Sequence, residues 1–238
     1  MPHAPVYPHD PIEEIAPDLF MVRGSVRLNA LMRITRNMAI VRDRGELSLV
    51  DPIRLDEAGE RQLLALGEVK RILRLGPMHG LDDPYYVERF GAELWAPGES
   101  QTYPEPRIDQ KLSADRPLPF PDAELFVFAG TTQPEAALLI RRGPGILLTC
   151  DAIQHYGDYR HNTLLARLVM PFIGFPKTTV VGPIWLKLMT PAGGSLKSEF
   201  ERLLALDFDR LLSAHGSLLD GGARASVAAA VRRAFPDS

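Results

Sequence analysis

The chain has 238 residues, a length that suits one large domain or two small ones. Hydrophobic residues make up 45% of it and charged residues 24%, a balance that is typical of globular proteins and excludes a fibrous or disordered chain. The formal net charge is −3 and no run of Lys or Arg occurs, so we expect no nucleic-acid partner. We predict a single domain over residues 1–238.

The cysteine content and the first residues bear on the cellular compartment. Cys150 is the only cysteine and cannot form an internal disulfide, which favours a reducing compartment. The proline-rich tail, residues 1–11, lacks the apolar segment of a signal peptide. The most apolar later segment, 168–175, is far shorter than the roughly 20 residues that span a bilayer. We therefore predict a cytoplasmic protein with no membrane partner.

The first third of the chain is predicted to open with antiparallel strands. Apolar and polar residues alternate in RLNALMRI (27–34), a pattern that predicts a strand with its apolar side chains on one face. Further strands are predicted at NMAIVRD and ELSLV. A helix is predicted over 55–66, because acidic residues occupy its first turn and leucines recur at helical spacing.

Strands and helices continue to alternate in the rest of the chain. VKRILRL (69–75) is predicted as a buried strand, and a polar cluster, MHGLDDPYY, follows it. A proline-rich connection over 98–121 is long enough to suggest that it covers a site. Strands followed by helices predict two packed sheets with helices on their outer faces. The remaining elements predicted are strands at 92–95, 124–129, 136–141, 145–150 and 210–214, and helices at 85–90, 160–170, 195–206 and 222–234.

Polar side chains follow four of the predicted strands. Loops at strand ends commonly carry functional groups, because the strands hold them rigidly while the loop stays open. If these strands run in the same sense, their polar groups meet at one edge of the fold. The groups are Asp51 after ELSLV, His79, Asp82 and Asp83 after VKRILRL, Asp151 after GILLTC, and His215 after RLLSA.

This order of motifs resembles the metallo-β-lactamase superfamily. The resemblance rests on NMAIVRD and LSLVDP, a strand that ends in a His/Asp cluster, a strand that ends in Leu-Thr-Cys-Asp, and a late Ala-His-Gly. It extends over about residues 12–235 and implies an αββα sandwich. In that superfamily, His-x-His-x-Asp-His, Gly-His-Thr, a bridging Asp and a late His together bind two metal ions that activate water.

The motifs match only in part. His-x-His-x-Asp-His corresponds to residues 78–83, where Met78 and Gly80 replace the two leading histidines, and Thr131 replaces the histidine of Gly-His-Thr. The resemblance therefore implies that the first metal site is lost and the second is kept. It also implies that Asp51 is a structural residue. The metal ligands it implies are Asp82, Asp83, Asp151 and His215, together with His79, one position out of register.

Three carboxylates and one imidazole form an oxygen-rich site that favours hard divalent ions. We expect one ion, Zn²⁺, Mn²⁺ or Fe²⁺, and a metallo-hydrolase in which Asp82 or Asp151 orients the attacking water. Its small-molecule substrate would be an unknown ester, amide or phosphodiester. The alternative is a non-catalytic binding or scaffold protein that has lost its metals. In that case a proton or an arginine, with Arg74 and Arg160 nearest in sequence, would compensate the carboxylates.

Simpler structural roles are also open to the candidate residues. Asp83 has the position of an N-cap for a helix that begins at Pro84. Asp151 is able to accept hydrogen bonds within its turn, and Cys150 is expected to be a core side chain. The apolar helical excursion, about residues 160–191, is expected to wall the substrate pocket or to form a homodimer contact, which we favour.

Overall fold

The computed structural model describes residues 3–236, which contain two main β-sheets and six α-helices. The strands are β1 (Glu13–Ala16), β2 (Leu19–Arg27), β3 (Arg33–Asp43), β4 (Glu46–Val50), β5 (Glu68–Leu73), β6 (Glu93–Ala96), β7 (Gln110–Lys111), β8 (Ala123–Val127), β9 (Ala136–Ile140), β10 (Ile146–Thr149), β11 (Ile153–His155), β12 (Thr179–Val181) and β13 (Arg210–Ser213). The helices are α1 (Glu57–Leu66), α2 (Asp83–Phe90), α3 (Leu164–Val169), α4 (Pro183–Met189), α5 (Lys197–Leu203) and α6 (Ala223–Ala234), and a 3₁₀ helix spans Met170–Ile173.

The strand directions bring several strand ends to the same edge of the fold. The first sheet has the order β1-β2-β3-β4-β5-β6-β7, and the second has the order β13-β10-β9-β8. Strands β1 to β4 pair antiparallel, which confirms the predicted antiparallel opening. Strand β4 is parallel to β5, and β10 is parallel to β13. The loops that follow each of these two pairs therefore leave their sheet at the same edge.

The core is divided into three apolar layers. Between the sheets, side chains such as Leu73 of β5 pack against Leu148 of β10. Helices α1 and α2 pack on the outer face of the first sheet, where Leu63 of α1 is buried. Helices α4 to α6 cover the outer face of the second sheet, where Phe200 is fully buried. The order of layers is helix, sheet, sheet, helix, which confirms the expected αββα sandwich.

The alternating segment RLNALMRI is not one strand, and that prediction is wrong. Strand β2 ends at Arg27 and β3 begins at Arg33, so the intervening residues form the hairpin turn. The side-chain oxygen of Asn29 accepts hydrogen bonds from the backbone N–H groups of Leu31 and Met32, each at 2.9 Å. An Asn side chain commonly fixes a turn in this way, and its effect overrides the apolar alternation.

The excursion over 160–191 has a buried side and an exposed side. It contains α3, the 3₁₀ helix, β12 and α4, and β12 pairs with β11 in a small third sheet that the sequence did not predict. Ala166, Met170 and Phe175 are buried, but Phe172 is 90% exposed and Leu164 is 74% exposed. The homodimer contact through these side chains stays a prediction. Within residues 3–236, we find no helix with the length and apolar character needed to cross a membrane.

Candidate functional site

Four strand ends place buried polar side chains at one edge of the two sheets. Asp51 follows β4 and His79 lies beyond β5 in the first sheet, whereas Asp151 follows β10 and His215 follows β13 in the second. All four side chains are at most 8% exposed. The predicted convergence of these loops therefore places the two histidines and the two carboxylates in a dry environment, where electrostatic interactions are strong.

His79, Asp151 and His215 form a triangle of potential metal ligands. The Nε2 atom of His79 lies 3.2 Å from Oδ2 of Asp151. The Nε2 atom of His215 lies 3.2 Å from Oδ1 of the same carboxylate. The two Nε2 atoms are themselves 3.2 Å apart. Side chains from three separate loops thus bring two imidazole nitrogens and the two oxygens of one carboxylate close together.

The outer nitrogen of the His215 imidazole has a hydrogen-bond partner that orients the ring, whereas that of His79 has none among the described residues. Nδ1 of His215 lies 2.7 Å from the carbonyl oxygen of Thr35, which can only accept, so Nδ1 carries the proton and the lone pair of a neutral ring lies on Nε2. Nδ1 of His79 lies 4.0 Å from Oδ2 of Asp51. Asp51 is itself fixed, because its Oδ1 accepts a hydrogen bond of 2.9 Å from the N–H of Leu75. This arrangement agrees with the structural role expected for Asp51.

The charge state of the triangle follows from burial and from its own members. Burial opposes the ionisation of Asp151, but the neighbouring His79 and His215 rings hold the pKa of its carboxyl well below its usual range. Burial lowers the pKa of His79 and outweighs the attraction of Asp151. The Asp151 carboxylate is also held by Gln154, whose Nε2 donates to Oδ1 at 3.1 Å. An ionised carboxylate therefore faces an imidazole that favours its neutral form.

Comparison with known proteins identifies the fold. No protein-family model and no curated protein matches the sequence. The structure is similar to that of the metallo-β-lactamase FIM-1 from Pseudomonas aeruginosa in its mono-zinc form, with a TM-score of 0.65, 13% identity, and coverage of 97% of this chain and 98% of that one. The chain has the metallo-β-lactamase fold. A metallo-β-lactamase from Erythrobacter litoralis is also similar, with a TM-score of 0.61, 14% identity, and coverage of 92% of this chain and 89% of that one.

Gly80, which replaces one leading histidine of the metallo-β-lactamase motif, has no room for a side chain. A Cβ atom there would lie 2.5 Å from Nη1 of Arg74 and 2.6 Å from Cβ of Tyr103. Met78, which replaces the other, packs against the core on the outer side of the second sheet. The two positions at which the motif has its leading histidines therefore supply no imidazole for a first metal ion.

Asp82 and Asp83 lie apart from the His79–Asp151–His215 triangle. Within residues 3–236, two groups of His, Cys and carboxylate atoms lie within 4.8 Å of one another, His79–Asp151–His215 and Asp51–His79–Cys150, and neither includes Asp82 or Asp83. Asp83 forms an ion pair with Arg74 instead, with Oδ2 3.5 Å from Nη1. Arg74 is thus the charge partner of this carboxylate, one of the two arginines expected from the sequence. Burial raises the pKa of Asp82, against the attraction of the Arg36 and Arg54 guanidinium groups.

The structure tests two of the simpler structural roles, the N-cap role of Asp83 and the core position of Cys150. The helix begins at Asp83, with Asp82 at the N-cap position and no side-chain cap, so the expected Asp83 cap is wrong. Cys150 is buried between the sheets, as expected of a core side chain. Burial raises the pKa of its thiol well above the usual range, so the thiol stays protonated.

A cavity of about 420 Å³ opens onto the triangle. His79, Asp151 and His215 line it, together with Gln154, Arg36 and a wall of apolar side chains. Cavities of this size with a few convergent polar groups are the usual form of a small-molecule site. The triangle is therefore accessible to a ligand although its side chains are largely buried.

Sequence reasoning missed two polar residues of this site. Arg36 is buried in β3 and donates from Nη2 to the carbonyl oxygen of His79 at 2.9 Å. Gln154 lies in β11, a strand that the sequence did not predict. An arginine close to the apolar segment MAIV of the same strand was a signal for Arg36, because buried arginines need partners. No comparable signal marked Gln154.

The donor set of the triangle fits one divalent metal ion. Ligand atoms at about 2.0–2.1 Å from a tetrahedral zinc ion lie roughly 3.3 Å from one another. The two Nε2 atoms are 3.2 Å apart, and each lies 3.2 Å from one of the two oxygens of Asp151. Two imidazoles and one carboxylate are a common ligand set of catalytic zinc sites and of non-haem iron sites. The hydrogen bond between Nδ1 of His215 and a backbone carbonyl is of the kind that usually orients a metal-binding histidine.

Proposed function

We propose that this protein is a metal-dependent hydrolase that uses one divalent ion, held by His79 Nε2, a carboxylate oxygen of Asp151 and His215 Nε2. The observation that carries the proposal is the His79–Asp151–His215 triangle at the base of an open cavity: the two Nε2 atoms lie 3.2 Å apart, and each lies 3.2 Å from a different oxygen of Asp151. The fold is compatible with a single ion, since FIM-1 has been crystallised in a mono-zinc form. This ligand set keeps His79, Asp151 and His215 of the five residues that the sequence resemblance implied and omits Asp82 and Asp83.

The revised ligand set is better suited to hydrolysis than three carboxylates and one imidazole. With two neutral imidazoles and one carboxylate, a bound divalent ion keeps a formal charge of +1, whereas the three-carboxylate set would leave −1. A bound ion with net positive charge lowers the pKa of water toward about 7 and polarises a carbonyl or phosphoryl oxygen. Zn²⁺, Mn²⁺ and Fe²⁺ remain the candidates, because each accepts this mixture of nitrogen and oxygen.

Three residues of the chain supply the remaining functions. Asp151 stays ionised and orients the attacking water. Arg36 lines the cavity and presents a positive charge to the oxygen on which negative charge develops. Tyr103 also lines the cavity, and because burial raises its pKa, its phenol stays protonated and donates a hydrogen bond to the leaving group.

Metal content and hydrolysis test the proposal together. We expect protein purified without chelator to contain about one Zn, Mn or Fe per chain by mass spectrometry of the elements. We expect it to hydrolyse at least one member of a panel of aryl esters, amides and phosphodiesters, and chelation followed by dialysis should remove this activity. His215→Ala should lose both properties, whereas Asp83→Asn, outside the triangle, should keep the metal.

The alternative, a non-catalytic protein with this fold, predicts the opposite results. Metal-free protein whose melting temperature is unchanged by added Zn²⁺, Mn²⁺ or Fe²⁺ would support it and overturn our proposal. Loss of metal in Asp83→Asn with retention in His79→Ala would instead restore the ligand set that includes Asp82 and Asp83.

A further inference from the structure

The walls of the 420 Å³ cavity differ in character from its base. Twelve of its eighteen lining residues are aliphatic or aromatic. The polar minority includes His79, Asp151 and His215 at the strand ends. A ligand that fills the cavity therefore places a polar group at the triangle and an apolar body against the walls.

Eight of the twelve apolar lining residues come from two separate segments. The end of the β2–β3 hairpin supplies Val26, Leu28 and Ile34, and the excursion over 160–191 supplies others, including Met170 and Ile184. These segments lie outside the strand ends that carry the polar groups. Most of the apolar wall thus comes from parts of the chain other than those that carry the polar base, which lets the wall determine substrate preference.

The same apolar surface continues to the mouth of the cavity. Leu28, Ile173 and Ile184 line the cavity and yet are 54%, 45% and 53% exposed. Exposed apolar side chains that border a cavity commonly mark a binding surface for an apolar ligand. A sugar or a polyphosphate would need polar partners along its length, whereas two thirds of the lining residues are aliphatic or aromatic.

We propose that the cavity binds acyl esters with the aliphatic chain against the walls and the ester carbonyl at the triangle. The proposal rests on the proposed function for the reaction itself. Water forms a bond from its oxygen to the carbonyl carbon, and the bond from this carbon to the alcohol oxygen breaks. One proton of the water goes to the leaving alkoxide, and the products are an alcohol and a carboxylic acid, which releases its own proton.

Binding of the acid product tests the acyl pocket without any catalytic turnover. Calorimetric titration of hexanoate, octanoate and decanoate into the purified protein, below their micelle concentrations, should show affinity that rises about fourfold for each methylene, the factor that corresponds to about 0.8 kcal/mol. An affinity that is independent of chain length would overturn the proposal.

Helix α4 offers a matched pair of variants. Ile184 lines the cavity and is 53% exposed, whereas Leu188 lies on the same helix, is 50% exposed and does not line the cavity. Ile184→Gln should weaken decanoate binding about three- to tenfold. Leu188→Gln should bind decanoate like the unmodified protein. Equal losses in the two variants would contradict an acyl pocket, and neither exposed substitution should disturb folding.

The outcome separates this proposal from the proposed function. Chain-length-dependent binding in a protein that has no metal and no esterase activity would support the acyl pocket while the hydrolase proposal fails. Metal-dependent hydrolysis of acetate and decanoate esters with equal kcat/KM, together with chain-independent binding, would leave the hydrolase standing and overturn the acyl pocket.

Discussion

His79 and His215 are 136 residues apart in the sequence, yet their Nε2 atoms lie 3.2 Å from each other. His79 is carried by the first sheet and His215 by the second. Asp151, also from the second sheet, contacts both rings. Any ion held between these rings would join the two sheets at their shared edge, so metal binding and the stability of the whole fold are expected to be linked.

This link predicts a thermal shift that depends on the two histidines. A ligand that binds only the folded state at 100 times its Kd adds about 2.7 kcal/mol to the free energy of unfolding. Zn²⁺ in that excess should therefore raise Tm by several degrees, as measured by calorimetry. His79→Ala and His215→Ala should each lower zinc affinity by more than about 100-fold and abolish the shift, since even the loss of an outer partner costs 10- to 100-fold.

Asp83→Asn is the matched control for the thermal shift. It changes a buried carboxylate of the same loop that lies outside the triangle. The variant should show the full shift in Tm on addition of zinc. A shift that survives in His215→Ala but disappears in Asp83→Asn would place the ion elsewhere.

The sequence predicted the layers of the fold because strand and helix periodicities are local and strong. It also predicted which loops meet, since parallel pairs such as β10 and β13 send their following residues, Asp151 and His215, to one edge. It did not predict the turn at residues 28–32, where one Asn side chain overrides the apolar alternation. Short-range hydrogen bonds of this kind are invisible to a periodicity argument.

The membership of the site was harder to predict than its location. Matching residues 78–83 to a family motif placed Asp82 and Asp83 at the metal and His79 one position away from it. In the structure, His79 points into the triangle and Asp83 points to Arg74. The path of a loop depends on which of its side chains find buried partners. Arg74 lies 9 residues before Asp83 and pairs with it in space, and a comparison of motifs along the sequence does not reveal this contact.

Gln154 is expected to position Asp151 without contacting the ion. Its Nε2 donates to Oδ1 of Asp151 at 3.1 Å, and its own Oε1 accepts a hydrogen bond of 2.6 Å from the hydroxyl of Tyr156. Gln154→Ala should weaken zinc binding about 10- to 100-fold, the usual cost of losing an outer partner. Tyr156→Phe, one step further from the carboxylate, should weaken it less. Competition with a fluorescent chelator measures both, and a larger effect in Tyr156→Phe would contradict this order.

Asp83 predicts a stability that falls with pH across the neutral range. Burial raises the pKa of its carboxyl from 3.8 to about 7, against the attraction of Arg74 and Arg36. A raised pKa means that the folded state binds the proton more tightly, so this stabilisation is complete below about pH 4 and is lost as the pH rises to about 7. Between pH 5 and 7 the contribution of this one group declines by about 2 kcal/mol.

Asp83→Asn should remove this decline. In urea unfolding at pH 5, 6 and 7, the free energy of unfolding of the variant, relative to that of the unmodified protein, should rise by about 2 kcal/mol from pH 5 to pH 7. Asp207→Asn, a substitution at an exposed position, is the control and should run parallel to the unmodified protein. Parallel curves for Asp83→Asn as well would show that Asp83 is already ionised at pH 5.

Glu135 is expected to stabilise the loop that carries Asp151 through a pair of buried hydrogen bonds. Its Oε1 accepts from the N–H of Ala152 at 3.1 Å and its Oε2 accepts from the indole N–H of Trp185 at 2.6 Å. Glu135→Ala should lower the free energy of unfolding by about 3 kcal/mol, because it leaves two buried donors without partners. Trp185→Phe removes only one of these two hydrogen bonds, so the hydrogen-bond part of its loss in free energy of unfolding should be smaller than that of Glu135→Ala. Urea unfolding of both variants and of the double variant should give a coupling of about 1 kcal/mol, and strictly additive losses would show that the Trp185 bond contributes nothing.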